Sequence, residues 1–266
     1  MPVDPGKPRM VLVVHGVQTG TSDDQKQHQQ IKQLIDQRGG HLGLQYDTSL
    51  YRYEDKNDQV IDAAKNLMNL LGTTPIGKAI SKSVLDLVGD VVISLHNGKT
   101  AQAIREGLKH AILTQYQNAT PCYLVAHSLG SIYAFDVVNE LIADPAYFDR
   151  SDRTTWPVQG FATIGSPIGL DMFRKDRPAI QNLGAGTSLF RWVNYWDRTD
   201  PVVSGDIFGS KLNGNKIAEL YANNTLDQGW AIRDIPMDTG LRWLISHTAY
   251  WKDAKFGDGL VDLIAH

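Results

Sequence analysis

The sequence predicts an α/β fold, a mostly parallel central sheet wrapped by helices on both faces. Apolar runs of β-branched character alternate along the chain with stretches of helical periodicity, the pattern of strand–helix–strand units. The first run, Met10-Val11-Leu12-Val13-Val14, is apolar throughout. Such a strand is buried on both faces, as parallel strands are. The 266 residues are enough to bury a large core and fit one domain over 1–266, with no repeat or low-complexity linker to divide it.

Taken in order, the first strand ends at His15-Gly16. Residues Ser22 to Gln37 follow with Ile31, Leu34 and Ile35 at helical spacing, and Gly39-Gly40 is a natural helix stop. A second strand is expected within Leu44 to Tyr53, and a second helical pattern over Val60 to Leu71. Ala101 to Gln115 reads as helix, Cys122 to Ala126 as strand, and Leu129 to Ala143 as a helix apolar nearly all round. A helix of that kind is sandwiched in a core. Strands are then expected over Val158 to Ile164, Ser188 to Tyr195 and, more weakly patterned, Trp230 to Ile235.

Charge and cysteine content narrow the partners. Lys and Arg number 26 against 29 Asp and Glu, a formal charge of -3, without long runs of one sign. That excludes an electrostatic nucleic-acid surface. One cysteine, Cys122, forms no internal disulfide, and Met1-Pro2-Val3-Asp4-Pro5 lacks the basic and apolar regions of a secretory signal, so a cytoplasmic protein is expected. The sequons at Asn118 and Asn223 then read as accidental. No apolar run is long enough for a transmembrane segment. Oligomeric state has no signature.

The chemistry centres on Val125-Ala126-His127-Ser128-Leu129-Gly130-Ser131, a serine between a strand pattern and an apolar helix pattern. A sharp strand-to-helix turn lifts such a hydroxyl out of the sheet and aims the first helical N–H groups at whatever it attacks. Serine is a poor nucleophile without a base, the base needs an acid to orient it, and a developing oxyanion needs donors. Active groups in open parallel sheets gather beyond the carboxyl ends of strands, so the partners are sought there.

The stretch after the fifth strand offers two acids, Asp197 and Asp200. Asp200 is preferred because Pro201-Val202-Val203 fixes a tight turn behind it, whereas Asp197 reads as a solvated acid paired with Arg198. Among eight histidines, His247 alone follows the last strand candidate with chain downstream, and it completes the order Ser, Asp, His. His15 and His127 read as residues that shape their loops. The elbow supplies the N–H of Leu129 as one oxyanion donor, and His15-Gly16-Val17 offers the N–H of Val17 as the other.

With His15-Gly16, Ala126-His127-Ser128-Leu129-Gly130, Gly165-Ser166-Pro167, Asp200-Pro201-Val202 and His247 in place, the chain resembles the α/β-hydrolase family, in its lipase and carboxylesterase branch. The resemblance covers most of the chain. It implies an α/β-hydrolase fold, a catalytic triad of Ser128, Asp200 and His247, no cofactor, and acyl-enzyme chemistry on a small-molecule or lipid ester. The family pattern G-x-S-x-G has Ala126 in place of its first glycine, a change small enough for a crowded elbow. Thioesterases and acyltransferases would use the same trio, and a non-catalytic interaction protein could keep the fold with the trio vestigial.

Two other segments draw attention. Gly72-Thr73-Thr74-Pro75-Ile76-Gly77-Lys78-Ala79 approaches a phosphate-binding loop, but Ala79 lacks the hydroxyl a magnesium ion needs. No His, Cys, Asp and Glu spacing suggests a metal. The segment at about 68–100 is longer than a connection requires, and its apolar part, Val84 to Leu95, fits either a helical cap over Ser128 or a core-covering helix. Gly205 to Asn215 suggests a rim loop.

Overall fold

The computed structural model describes residues 2–15, 21–52, 98–149, 151–170, 173, 190–204, 217–221, 231–240 and 244–265. The helical pattern at 60–71, the near phosphate loop at 72–79, most of the cap candidate at 68–100 and the rim loop at 205–215 lie outside these residues.

Six strands form the sheet: β1 (Arg9–Val14), β2 (Tyr46–Tyr51), β3 (Cys122–His127), β4 (Gly160–Ile164), β5 (Arg191–Asp197) and β6 (Ala231–Met237). All neighbours pair in parallel, in the order β2-β1-β3-β4-β5-β6. Each strand expected from the sequence is present, with ends moved by a few residues. Helices α1 (Thr21–Gly39), α2 (Lys99–Gln117) and α3 (Gly130–Ala143) connect the first four, and the short helices α4 (Pro201–Ser204) and α5 (Ile217–Tyr221) follow β5.

This order decides where a site can form. The chain runs outward from β1 to β2, then returns to the far side of β1 for β3 and continues in one direction to β6. Right-handed crossovers therefore put α1 on one face and α2 with α3 on the other. Strand alternation follows: Leu12, Val14, Leu124 and Ala126 pack under α2 and α3, while Val11, Val13, Tyr123 and Val125 face α1. The reversal opens a crevice at the carboxyl ends of β1 and β3, where ligands of such sheets bind.

One helix was not anticipated. Helix α7 (Ala254–Ala265) packs beside α1, burying Phe256, Leu260, Val261, Leu263 and Ile264. Its internal Gly257 and Gly259 depress helix propensity, and the buried apolar stripe outweighs them. On the opposite face, Thr163, Asn194 and Asp234 stand in register across β4, β5 and β6. The Thr163 hydroxyl donates to Asn194 at 2.9 Å, and the Asn194 amide donates to Asp234 at 2.9 Å. A one-residue slip would break this ladder and turn each side chain to the other face, so the strand ends below are held in register.

Candidate active site

Strand β3 is buried along its length and ends in a backbone conformation that L-residues avoid: Ser128 has φ +52°. Left-handed backbone costs a non-glycine residue about 1–2 kcal/mol, so something must hold it. The Ser128 N–H donates to the Ile164 carbonyl at 3.1 Å. Its carbonyl accepts from the Ser131 N–H at 3.0 Å and the Ser131 hydroxyl at 2.5 Å. That hydroxyl meets Ser166 Oγ at 2.6 Å, which in turn accepts from the Ile168 N–H at 3.3 Å. The turn is also close to β1, since a Cβ at Gly130 would lie 1.9 Å from the His15 carbonyl oxygen. Only glycine fits there. Ala126, at the position of the first glycine in the G-x-S-x-G pattern, is fully buried.

Across the crevice, His247 ends the short helix α6 (Leu244–His247). The Ser128 hydroxyl lies 2.9 Å from His247 Nε2, and His247 Nδ1 lies 2.8 Å from Asp200 Oδ2. A carboxylate can only accept, so Nδ1 carries the proton and Nε2 is free to accept from Ser128. The other Asp200 oxygen accepts the Val202 N–H at 2.9 Å, the tight turn expected from Pro201-Val202-Val203. Ser128, His247 and Asp200 are all buried.

Asp197 is not the solvated acid the sequence suggested. It is the last residue of β5 and is buried. One oxygen takes the N–H and hydroxyl of Thr199 and the other those of Thr239, all at 2.7–2.8 Å. Burial pushes its carboxyl upward, but these donors outweigh it and hold the group below its ordinary value.

Tyr250 joins the two acids. Its hydroxyl donates to Asp200 Oδ2 at 2.8 Å and accepts the Asp197 N–H at 2.9 Å. Burial, and then the Asp200 charge, raise this phenol well above its ordinary value, so it stays a donor. Gly165, after β4, has φ +56°, and a Cβ there would lie 3.0 Å from His247 Nδ1, 3.0 Å from the Tyr250 ring and 3.1 Å from Asp200 Oδ2. The three side chains rest on that glycine.

His127 stands behind His247. Its Nε2–H donates to the His247 carbonyl at 2.9 Å, and the two ring centroids are 4.7 Å apart. Burial, then the nearby His247, pushes His127 well below its ordinary value, so it stays neutral. Trp251 packs edge-on to it, with ring centroids 5.2 Å apart, and lies tilted against His15 at 6.0 Å.

Of the residues singled out in the sequence, the structure brings together Ser128, His247 and Asp200, with Leu129 leading into α3. The N–H of Leu129 precedes the first intrahelical acceptor, one of the N-terminal donors a helix leaves over. Val17 lies outside the described residues. Tyr250, Ser131 and Ser166 were missed. Tyr250 falls one helical turn beyond His247, so its spacing was a signal. Ser131 and Ser166 carried none, because only the fold brings α3 and the β4 loop into contact. Among the described residues, no three His, Cys, Asp or Glu are grouped to hold a metal ion, and no helix is long and apolar enough to cross a membrane.

Fold and site together define an α/β protein with a serine–histidine–aspartate hydrogen-bond chain at the carboxyl edge of its sheet. No protein-family model matches the sequence, and no curated protein matches it. Among solved structures it is similar to TT1662 from Thermus thermophilus, at a TM-score of 0.46 and 11% identity over 99% of this chain and 90% of that one. It is also similar to an uncharacterized protein from Bacillus cereus ATCC 10987, at a TM-score of 0.42 and 11% identity over 98% of this chain and 59% of that one. Likeness of this grade carries nothing about what the site does.

Proposed function

We propose that this protein is a serine hydrolase of the α/β-hydrolase family that cleaves carboxylic esters through an acyl-enzyme on Ser128. The observation that carries the reading is the His247 ring, which spans Ser128 Oγ and Asp200 Oδ2 at 2.9 Å and 2.8 Å. These are the hydrogen bonds that turn a hydroxyl into a nucleophile.

In the proposed cycle, His247 Nε2 takes the Ser128 proton as Oγ bonds to the ester carbonyl carbon. Asp200 holds the imidazolium. The oxyanion is received by the N–H of Leu129, at the start of α3. Collapse breaks the ester C–O bond, and the leaving alcohol takes the proton from His247. Water then attacks the acyl carbon, giving its proton to His247, and the acid departs as Ser128 Oγ regains it. Neutral His127 favours the imidazolium, because a second cation 4.7 Å away would oppose it. The strained elbow keeps Oγ outside the sheet and beside the N-terminal donors of α3.

A fluorophosphonate probe tests the reading. Label is expected on Ser128 in the folded protein and absent in Ser128→Ala. A folded wild-type protein that takes no label overturns the enzyme reading in favour of a vestigial trio. A p-nitrophenyl ester series from acetate to palmitate then reads the acyl preference, and peak activity on acetate with none on long chains would remove the reason for an apolar cap.

A further inference from the structure

Asp200 Oδ2 is shared. It accepts from His247 Nδ1 at 2.8 Å and from the Tyr250 hydroxyl at 2.8 Å, so two donors draw on one carboxylate oxygen. Oδ1 is occupied by the Val202 N–H. Tyr250 is itself fixed from two sides, by the Asp197 N–H on its oxygen and by Gly165 under its ring. It cannot swing away from Asp200 without breaking both contacts. Spending a buried tyrosine hydroxyl on the acid that already serves the histidine has a chemical effect, because each donor withdraws charge from the oxygen the other uses.

We infer that Tyr250 is a positioning residue of the site: its hydroxyl sets how strongly Asp200 pulls on His247, and so tunes the basicity of the group proposed to activate Ser128. This rests on the reading of His247 as the base, but the effect on the ring stands independently of turnover. Among the described residues, the titratable groups around the pair are few. Ser128 and His127 face His247 from β3 and its turn, Asp200 faces it from the turn after β5, and Asp197 meets Tyr250 through its backbone N–H, its carboxylate adding a weaker charge effect on the phenol. His15 stands farther back, against Trp251. With His127 held neutral by burial, Asp200 is the carboxylate hydrogen-bonded to the His247 ring, and Tyr250 is the side chain that shares its oxygen.

The experiment is a pH titration of the His247 ring by NMR in isotope-labelled histidine samples, assigned with His247→Gln. In Tyr250→Phe the ring packing is kept and the donor removed, and the midpoint is expected to move to higher pH by about one unit. Replacing Tyr250 with 3-fluorotyrosine strengthens the donor and is expected to move the midpoint to lower pH. This second variant keeps the hydroxyl and its hydrogen-bond partners, so it decides the matter even if Tyr250→Phe folds poorly. An unchanged midpoint, or a shift of the opposite sign in either protein, overturns the inference. The pH dependence of fluorophosphonate labelling separates this from the functional reading. If wild-type protein takes no label but the midpoints move as expected, the hydrolase reading fails and the tuning role stands. If label is taken and the midpoints do not move, the reverse holds. Where both stand, the acid limb of the labelling rate moves with the midpoint.

Discussion

Asp197 and Asp200 lie on one turn, at 2% and 0% exposure, yet their surroundings could hardly differ more. Asp197 is filled by threonine N–H and hydroxyl donors, none of which titrates near neutral pH. Asp200 takes one backbone N–H and gives its other oxygen to a histidine and a tyrosine. Burial does not distinguish a structural acid from a site acid here. The distinction lies in whether the donor can gain and lose a proton in a useful range.

The comparison breaks most sharply at Asp200. Under the proposed hydrolase reading, Asp200→Asn removes the charge that orients His247, and hydrolysis of a p-nitrophenyl ester is expected to fall about 10³- to 10⁴-fold. Asp197→Asn should stay within about 10-fold of wild type in the same assay, since its carboxylate is bound by Thr199 and Thr239 and not by His247. The reverse result would exchange the two roles. Next in size is Gly165→Ala. Its Cβ would crowd His247, Asp200 and Tyr250 from 3.0–3.1 Å in a left-handed backbone, and about a 100-fold loss of kcat is expected from the displaced base.

Stability should separate the acids in the opposite sense. Asp197→Ala strands the Thr199 and Thr239 donors and is expected to cost about 2–3 kcal/mol in urea unfolding. Because its folded carboxyl lies below the ordinary value, the stabilisation is complete above the unfolded value and lost as pH falls through the folded one. Wild-type protein should therefore lose stability below about pH 4, and Asp197→Asn should lose less of it there. A smaller effect sets a baseline away from both acids. Burial pushes the Cys122 thiol up to about 12, so iodoacetamide should modify it only after unfolding.

Much of the frame was legible because its signals are local. Apolar runs marked β1 and β3, and the helical stripe of Ile31, Leu34 and Ile35 marked α1. The elbow was legible through its small residues. The preference for Asp200 came from Pro201 and its β-branched neighbours, and the turn they form is the one observed. Asp197 was misread because half of its partners are remote: Thr199 is next door, but Thr239 lies beyond β6, and nothing near Arg198 announces it. Helix α7 was hidden by its glycines, since propensity is local and the burial that overrides it is not. Val17 and most of the cap candidate lie outside the described residues.

The sequence by itself determined the alternation of strands and helices, the serine at a strand-to-helix turn, and the order in which serine, acid and histidine occur. Periodicity, turn chemistry and residue type are written within a few neighbouring positions, which is why they can be read there. Only the tertiary structure decided which aspartate His247 meets, that Tyr250 shares its oxygen, and that His127 braces the histidine from behind. Those contacts join residues that the parallel sheet gathers at one edge from separate stretches of the chain. Their geometry depends on strand order and register, which no local pattern encodes.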